Sequence, residues 1–325
     1  MTDLERIGQR LVTGFPGTAL TPELVQVVKE YKIGNIILFR ENIASADQLR
    51  TLCADLQTLI RSETGHDAFI MIDQEGGAVT RLPESCINVP GSMALAATGD
   101  PETTYLAGKL TGEELRSLGV NFNLAPSVDV NCNPANPIIG VRSYGDTPAT
   151  VAKYAAGMIR GLQDGGVLCL AKHFPGHGDT AEDSHTGLAY SYRTVEELAA
   201  CELLPFEAAA EVGPHAVMVG HIVVPELTGD LPATLCADAI ALVPDAENTL
   251  IVTDSLAMGA ITDSYTPGEA AVQALQAGCD VLLMPDGLAD AYDAVLAAVQ
   301  NGTLSEDRLD LSVNKILRMK AQFCA

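Results

Sequence analysis

Short apolar segments of strand length alternate with segments of helical spacing along most of the chain. The apolar segments are rich in β-branched residues, and several of the helical ones begin at Thr-Pro, Asp-Pro or Thr-Glu, which favour a helix start. Strands are predicted at Leu11–Phe15, Ile33–Phe39, Phe69–Asp73, Val120–Ala125, Val167–Lys172, Ala216–Gly220, Leu250–Asp254 and Asp280–Met284. Helices are predicted at Pro22–Tyr31, Ala46–Arg61, Pro101–Leu118, Thr150–Gln163, Thr194–Glu211 and Gly268–Ala277.

This alternation predicts an α/β fold with a parallel sheet. Eight nearly continuous apolar strands, with no linker-like or low-complexity stretch between them, favour one closed (β/α)8 barrel of the TIM type over two open sheets. A length of 325 residues would also allow two domains, but barrels of this size commonly form one. We therefore expect residues 1–325 to form a single barrel domain.

Polar and glycine-rich residues follow six of the predicted strands. In (β/α)8 barrels the chemistry lies on the loops after the carboxyl ends of the strands, so these residues should meet at one rim. The strand ends alone place five side chains in the expected pocket: Asp73, Lys172, His173, His221 and Asp254.

Composition and charge exclude several classes of protein. Hydrophobic residues make up 47% and charged residues 19%, which is typical of a globular chain. The net charge of −23 would repel the phosphates of nucleic acids and anionic membranes. Neither an apolar run near the roughly 20 residues of a membrane span nor a signal-peptide pattern is present. We expect a cytoplasmic protein, monomeric or weakly oligomeric, with no nucleic-acid or membrane partner.

The cysteines and the aromatic residues limit the kinds of binding site that the chain could form. Eight cysteines are scattered without a CxxC pair, so we expect reduced thiols and no disulfide framework. The chain has no Trp, whereas grooves for polymeric ligands usually offer flat aromatic platforms. A small polar pocket is therefore the expected kind of binding site.

Residues 172–185 contain three of the six histidines of the chain. His173 and His177 could be metal ligands, but Pro175 and Gly176 between them favour a loop, where a spacing of four does not align two ligands. Alternatively, the segment supports acid–base chemistry, since a carboxylate lies two residues before an imidazole in Asp183-Ser184-His185 and could orient the ring. Gly176, Gly178 and Gly187 would let the loop move.

Two further residues have both a chemical and a structural interpretation. Asp254, at the tip of a strand, is well placed as a nucleophile or ligand, but it could also cap the following helix. Arg142 could clamp an anion or hydroxyl group, or serve as a structural ion-pair partner.

Residues 172–180, KHFPGHGDT, followed by DSH at 183–185, closely resemble the signature loop of the family 3 glycoside hydrolases that act as β-N-acetylhexosaminidases. Further segments match in order: Ile7-Gly8-Gln9 through Gly14-Phe15-Pro16-Gly17, Asp73-Gln74-Glu75-Gly76-Gly77 with Arg81, Asn121–Pro126 with Asp129-Val130-Asn131, and Val252-Thr253-Asp254. The resemblance covers most of the chain, from about Ile7 to Pro285.

The resemblance implies a barrel and a retaining mechanism without a metal or organic cofactor. Asp254 matches the family nucleophile, and His185 matches the acid/base of this branch with Asp183 as its partner. Positions that hold the terminal sugar match Asp73, Arg81, Arg142, Lys172 and His173. The implied activity is removal of terminal non-reducing GlcNAc from small glycans, with muropeptides of peptidoglycan recycling as the expected substrates.

Departures from the family pattern leave the aglycone preference open. Many relatives have Arg where this chain has Ala78, and an acidic residue where it has Val141 or Ser255. The alternatives are a β-glucosidase or other family 3 specificity, a GlcNAc phosphorylase that uses phosphate as acceptor, a metal-dependent barrel hydrolase, and a catalytically silent sugar-binding protein.

Overall fold

Residues 1–324, the part of the chain that the computed structural model describes, contain a closed sheet of eight parallel strands and a separate two-stranded sheet. The eight barrel strands are β1 (Leu11–Thr13), β2 (Asn35–Leu38), β3 (Phe69–Ile72), β4 (Phe122–Asn123), β5 (Leu168–Phe174), β7 (Ala216–Val219), β9 (Leu250–Thr253) and β10 (Leu282–Leu283), and the small sheet pairs β6 (Ala189–Tyr190) with β8 (Ile222–Val223). Neighbours follow the order β10-β1-β2-β3-β4-β5-β7-β9. A parallel bridge between Val252 and Val281 joins the two ends and closes the barrel.

Helices surround the barrel and connect its strands. They are α1 (Asp3–Gly8), α2 (Pro22–Tyr31), α3 (Ala46–Thr64), α4 (Ser92–Ala96), α5 (Glu102–Ser117), α6 (Pro148–Asp164), α7 (Val195–Ala200), α8 (Leu204–Val212), α9 (Pro225–Thr228), α10 (Ala237–Ile240), α11 (Gly259–Thr262), α12 (Pro267–Ala277), α13 (Leu288–Gln300) and α14 (Glu306–Phe323). Short 3-10 helices lie at Arg40–Asn42, Gly140–Arg142 and Ala233–Leu235. None of these helices combines the length and the apolar character that crossing a membrane would require.

Several of the longer helices begin where a hydroxyl side chain caps them. The side-chain oxygens of Thr21, Ser45, Thr147 and Thr266 each accept a hydrogen bond from a backbone N–H of the first helical turn. Three of these caps precede a proline at the first helical position, where its missing N–H costs no hydrogen bond. These local sequence signals determine the residue at which each of these helices begins.

The structure confirms the predicted (β/α)8 barrel and its eight strands, but it divides one predicted helix and adds helices that were not predicted, including α1 and the short helices α4, α9, α10 and α11. The predicted helix Thr194–Glu211 is divided into α7 and α8. Pro205 has no N–H to donate to the carbonyl of Cys201, and the backbone at Cys201 leaves the helical region with φ −133°. The final helices α13 and α14 were not predicted.

Alternate residues of each strand contribute to two different cores. One set packs outward against the helices, and the other fills the barrel interior, where Phe69 and Phe122 meet edge to face. Ile316 and Met319 of α14 belong to the interior cluster. Because α14 packs beneath the amino ends of the strands, it closes that end of the barrel. Burial of an apolar side chain such as Ile316 or Met319 stabilises the fold by about 1.5–3 kcal/mol. The carboxyl ends stay open.

Candidate active site

A cavity of about 360 Å³ lies at the carboxyl ends of the barrel strands. Seven of the eight predicted site residues line it, namely Asp73, Arg81, Arg142, Lys172, His173, His185 and Asp254. Asp183 lies outside the lining and contacts His185. His221, which the strand ends also placed in the pocket, is fully buried and does not line it. Four of the five side chains that were predicted from the strand ends therefore lie at the same rim of the barrel.

Buried ion pairs form one side of the cavity. Lys172 Nζ lies 2.8 Å from Asp73 Oδ1 and 2.7 Å from Glu75 Oε1. Arg142 donates to both oxygens of Glu75, at 2.7 and 2.9 Å. Burial alone would raise the pKa of Glu75, but Lys172 and Arg142 hold it far below its ordinary value. Likewise, Asp73 and Glu75 overcome the effect of burial and raise the pKa of Lys172.

Glu75 was quoted within a sequence motif but not predicted as a site residue. It is 4% exposed at the side chain and contacts both buried cations. The signal that could have found it is charge balance, because the predicted site held three cations, Lys172, Arg142 and Arg81, but only the two carboxylates of Asp73 and Asp254 as pocket-lining anions. Arg81 is held more loosely, with Nη2 3.8 Å from Asp73 Oδ2.

The turn after Asp73-Gln74-Glu75 requires glycine. Gly76 and Gly77 both have positive φ, at 92° and 57°. A Cβ on Gly77 would also lie 2.7 Å from the backbone of Gly91. The Gly-Gly pair therefore turns the chain back sharply after the carboxylates.

A second, largely apolar cavity of about 380 Å³ adjoins this turn. It shares Glu75 and Arg142 with the first cavity. Ala78 and Val141, two of the positions where the chain departs from the family pattern, are part of its wall.

His173 is fixed by a carboxylate that was likewise not predicted as a site residue. Its Nδ1 donates to Asp129 Oδ2 at 2.8 Å, which leaves Nε2 as the nitrogen that lies 3.4 Å from Arg142. Asp129 also accepts the backbone N–H groups of His173 and His177. Although burial would raise its pKa, the charges and donors of the two histidines hold the pKa of Asp129 below its ordinary value.

Asp254 lies directly after β9, where its backbone N–H still donates to Val219 O at 2.9 Å. Its Oδ1 accepts the N–H of Ser255 at 2.7 Å. Burial opposes ionisation, but His173, His221 and the Ser255 amide lower the pKa of Asp254 below its ordinary value. The next helix, α11, begins at Gly259 with no side-chain cap, so Asp254 does not cap it. A half-buried, ionised carboxylate therefore faces the cavity.

The loop after β5 carries Asp183 and His185. His185 Nδ1 lies 2.7 Å from Asp183 Oδ1, and the same oxygen accepts the backbone N–H of His185 at 2.8 Å. Both contacts outweigh the opposing effect of burial and lower the pKa of Asp183. The His185 side chain is 62% exposed, and its Nε2 has no hydrogen-bond partner within residues 1–324. The ring is thus oriented from one side and free on the other.

His177 anchors the same loop. Its Nδ1 lies 2.7 Å from Thr180 Oγ1 and its Nε2 lies 2.9 Å from Ser184 Oγ. Because both nitrogens have protein partners and His173 bonds to Asp129, the two histidines do not converge on a shared ligand. Gly178 packs against the backbone, since a Cβ there would lie 1.7 Å from Val130 O. Its role is close approach rather than the mobility expected from the sequence.

Comparisons with known proteins agree with this fold. The family model described as "Glycosyl hydrolase family 3 N terminal domain" matches residues 3–319. Beta-hexosaminidase A of Pseudoalteromonas piscicida is 36% identical over 94% of this chain and 56% of its own length. Beta-hexosaminidase LpqI of Mycobacterium tuberculosis is 33% identical over 97% of this chain and 82% of its own.

A solved structure is similar over the whole chain. The glycoside hydrolase family 3 β-N-acetylglucosaminidase of Paenibacillus sp. str. FPU-7 superposes with a TM-score of 0.96 at 43% identity, covering 100% of this chain and 64% of that one. The chain therefore spans less than two thirds of two of these three relatives. The barrel, the placement of the rim residues and the match along nearly the whole chain together show that this chain belongs to glycoside hydrolase family 3.

Proposed function

We propose that this protein is a retaining exo-β-N-acetylglucosaminidase. The observation that carries the proposal is that an ionised carboxylate, Asp254, and an imidazole held by a carboxylate, His185, line the same cavity. Asp254 would attack the anomeric carbon of the terminal sugar and form a glycosyl-enzyme intermediate. Water would then attack that intermediate, so that the product keeps the β configuration.

His185 is the group that can supply the proton. Retaining glycosidases ordinarily use a second carboxylic acid about 5 Å from the nucleophile. Among the residues that line this cavity, the other carboxylates are Asp73 and Glu75, and both accept hydrogen bonds from Lys172. His185 would instead protonate the leaving oxygen through Nε2 and deprotonate the incoming water in the second step, while Asp183 holds the ring through Nδ1.

The remaining residues would hold the sugar. Lys172 and Asp73 offer a donor and an acceptor next to each other, as hydroxyl groups require. Glu75 holds Arg142 and Asp129 holds His173, so the remaining N–H groups of Arg142 and the Nε2 atom of His173 are already oriented for a ligand. We assign Asp73, Arg81, Arg142, Lys172 and His173 to binding of the terminal sugar and its acetamido group. The apolar cavity beside Ala78 and Val141 would then influence which aglycone is accepted.

The names of the relatives support the choice of sugar, since two are β-hexosaminidases and one is a β-N-acetylglucosaminidase. Muropeptide substrates, a role in peptidoglycan recycling and a cytoplasmic location stay predictions. Phosphate in place of water remains an alternative acceptor, because a neutral imidazole base would not repel an incoming anion as a carboxylate does.

The test compares an aryl β-GlcNAc with the matching aryl β-glucoside, with and without a chelator. Turnover of only the GlcNAc compound, insensitive to the chelator, is expected. Preference for the glucoside would favour the β-glucosidase alternative, and loss with chelator that added metal restores would favour a metallohydrolase. Repeating the reaction in phosphate and analysing for sugar 1-phosphate distinguishes phosphorolysis from hydrolysis. Binding without turnover of either compound would contradict the proposed activity.

A further inference from the structure

A second cluster of chemically reactive side chains lies at the base of the loop that carries Asp183 and His185. The two sulfur atoms of Cys132 and Cys201 and a carboxylate oxygen of Glu202 lie within 4.8 Å of one another. They come from separate segments, because Cys132 follows β4 whereas Cys201 and Glu202 lie where α7 breaks before α8. The active-site cavity does not include them.

A hydrogen bond and ion pairs link this cluster to both ends of the loop. Cys132 Sγ donates to Glu202 Oε1 at 3.3 Å and lies 4.0 Å from Asp179 Oδ1, near the start of the loop. Arg193, at the end of the loop, has Nε 2.9 Å from Glu202 Oε1 and 3.5 Å from Asp179 Oδ1. Any change in the cluster would therefore act on the two ends of the segment that holds His185.

Glu202 has an unused acceptor. Its side chain is completely buried, and Oε2 has no hydrogen-bond partner within residues 1–324. A buried oxygen without a partner costs free energy, so few remain in folded proteins. Because Arg193 and Cys132 both use Oε1, a second cation could bind the carboxylate without displacing Arg193.

We propose that Cys132, Cys201 and Glu202 supply three ligands of a binding site for zinc or a similar divalent cation. Two thiolates with carboxylate oxygens are a ligand set that zinc accepts in tetrahedral geometry. Ligand atoms of such a site lie about 3.3–3.8 Å apart, given metal–ligand bonds of about 2.0–2.3 Å. The ligand atoms of Cys132, Cys201 and Glu202 lie at most 4.8 Å apart, so metal binding would need side-chain movements of about 1 Å.

Binding would release protons. Burial, reinforced by Glu202, raises the pKa of the Cys132 thiol to about 12, so this thiol is protonated at neutral pH when no metal is bound. Each cysteine would lose its proton to solvent as its metal–sulfur bond forms, giving two protons per metal ion. The same raised pKa disfavours a redox switch between the two thiols, since thiolate is the attacking species in disulfide formation.

Cobalt(II) titration of the reduced full-length chain tests the site, because cobalt bound to thiolate gives charge-transfer absorption that oxygen ligands do not. One equivalent should produce this absorption with release of two protons. Cys132→Ser and Cys201→Ser should each lose about half of it and bind at least about 10-fold more weakly. Cys86→Ser is the matched control, since Cys86 is another partly exposed thiol near a carboxylate, that of Glu114, and it should change nothing.

Two results would overturn the proposal. One is the absence of thiolate absorption in protein with all eight thiols shown to be reduced, and the other is full absorption in the double variant Cys132→Ser/Cys201→Ser. If a serine variant does not fold, Glu202→Gln keeps both thiols and nearly the same volume. It should retain the thiolate band but bind cobalt at least about 10-fold more weakly, and an unchanged affinity would exclude Glu202 as a ligand. None of these readouts depends on glycosidase activity.

Discussion

Two buried lysines at opposite ends of the barrel are held in different ways. Lys172 at the rim contacts Asp73 and Glu75, and these carboxylates raise its pKa in spite of burial. Lys320 on α14, at the closed end, donates to Gln9 Oε1 at 2.6 Å and Gly34 O at 2.9 Å. It has no carboxylate partner within residues 1–324, and burial lowers its pKa to about 7.

The different partners of the two lysines indicate different roles for the two ends of the barrel. At the rim, buried cations and anions remain ionised around an open cavity, so their unused hydrogen-bonding capacity is directed at a ligand. At the closed end, the side chains of α14 fill the space, and Lys320 donates to the oxygens of Gln9 and Gly34. Rim substitutions should therefore change activity most, and substitutions at the closed end should change stability or nothing.

The largest effect is expected from Asp254→Asn. The amide keeps nearly the same volume but cannot attack the anomeric carbon, so kcat should fall on the order of 10^3-fold or more, with little change in melting temperature. Steady-state kinetics on an aryl β-GlcNAc measures this.

The matched control at the closed end is Asp280→Asn. Asp280 is a buried carboxylate bound by Arg308 and Lys315, each at 3.0 Å. Its loss should lower the free energy of unfolding by about 3–5 kcal/mol and leave the kcat of the folded enzyme unchanged. Full activity in Asp254→Asn would remove Asp254 from the proposed mechanism.

His185→Ala should have the next largest effect. His185 is mostly exposed, so its removal should not change stability. Turnover of natural glycans, whose leaving groups need a proton, should fall about 10^2- to 10^4-fold, whereas an activated aryl glycoside should be slowed far less. Kinetics on both substrates provides the comparison. Equal losses on the two would indicate that His185 is not the acid.

Replacing each of the two lysines by methionine should have smaller effects, and the two variants can be compared directly. Lys172→Met leaves Glu75 with Arg142 and Asp73 with the distant Arg81, so KM should rise about 10- to 100-fold and the free energy of unfolding should fall by about 3 kcal/mol. Lys320→Met removes a lysine that burial disfavours, so at pH 7 stability should change by less than about 1 kcal/mol and activity not at all. Similar effects of the two substitutions on KM would contradict the proposed division between the ends.

The sequence predicted the rim better than the closed end, for a physical reason. Asp73 and Asp254 directly follow apolar strands and Lys172 lies near the carboxyl end of β5, so the positions of the apolar strands were enough to place them. Glu75 and Asp129 acquire their roles from partners 67 and 44 residues away in the chain, and no local pattern contains such pairings.

Two further differences between the prediction and the structure also arise from contacts between distant parts of the chain. His221 lies at a strand end, but it bonds to Ser255 O and Thr234 instead of facing the cavity, which depends on the path of two later loops. The closed end depends on α14, a helix that was not predicted, so Lys320 could not be assigned to it from the sequence. The break between α7 and α8, by contrast, had a local signal in Pro205.

The pH dependence of stability should distinguish the two lysines most finely. In the unfolded chain Lys320 stays protonated up to about pH 10.5, whereas in the folded chain it loses its proton near pH 7. The unfolded state therefore binds more protons above pH 7, and stability rises with pH there. The free energy of unfolding of the native protein, minus that of Lys320→Met, should increase by about 1–2 kcal/mol between pH 7 and 8.5.

Lys172 predicts the opposite behaviour in the same urea titrations. Its folded pKa is raised, so the stability it contributes is fully present below pH 10.5 and is lost only as pH rises through the higher folded value. The difference between the native protein and Lys172→Met should therefore be flat from pH 7 to 8.5. A flat difference for Lys320 as well would mean that Gln9, Gly34 and the Phe69 ring, 5.1 Å away, keep its ammonium charged without a carboxylate. In that case burial alone would not make the protonation of Lys320 differ from that of Lys172 between pH 7 and 8.5.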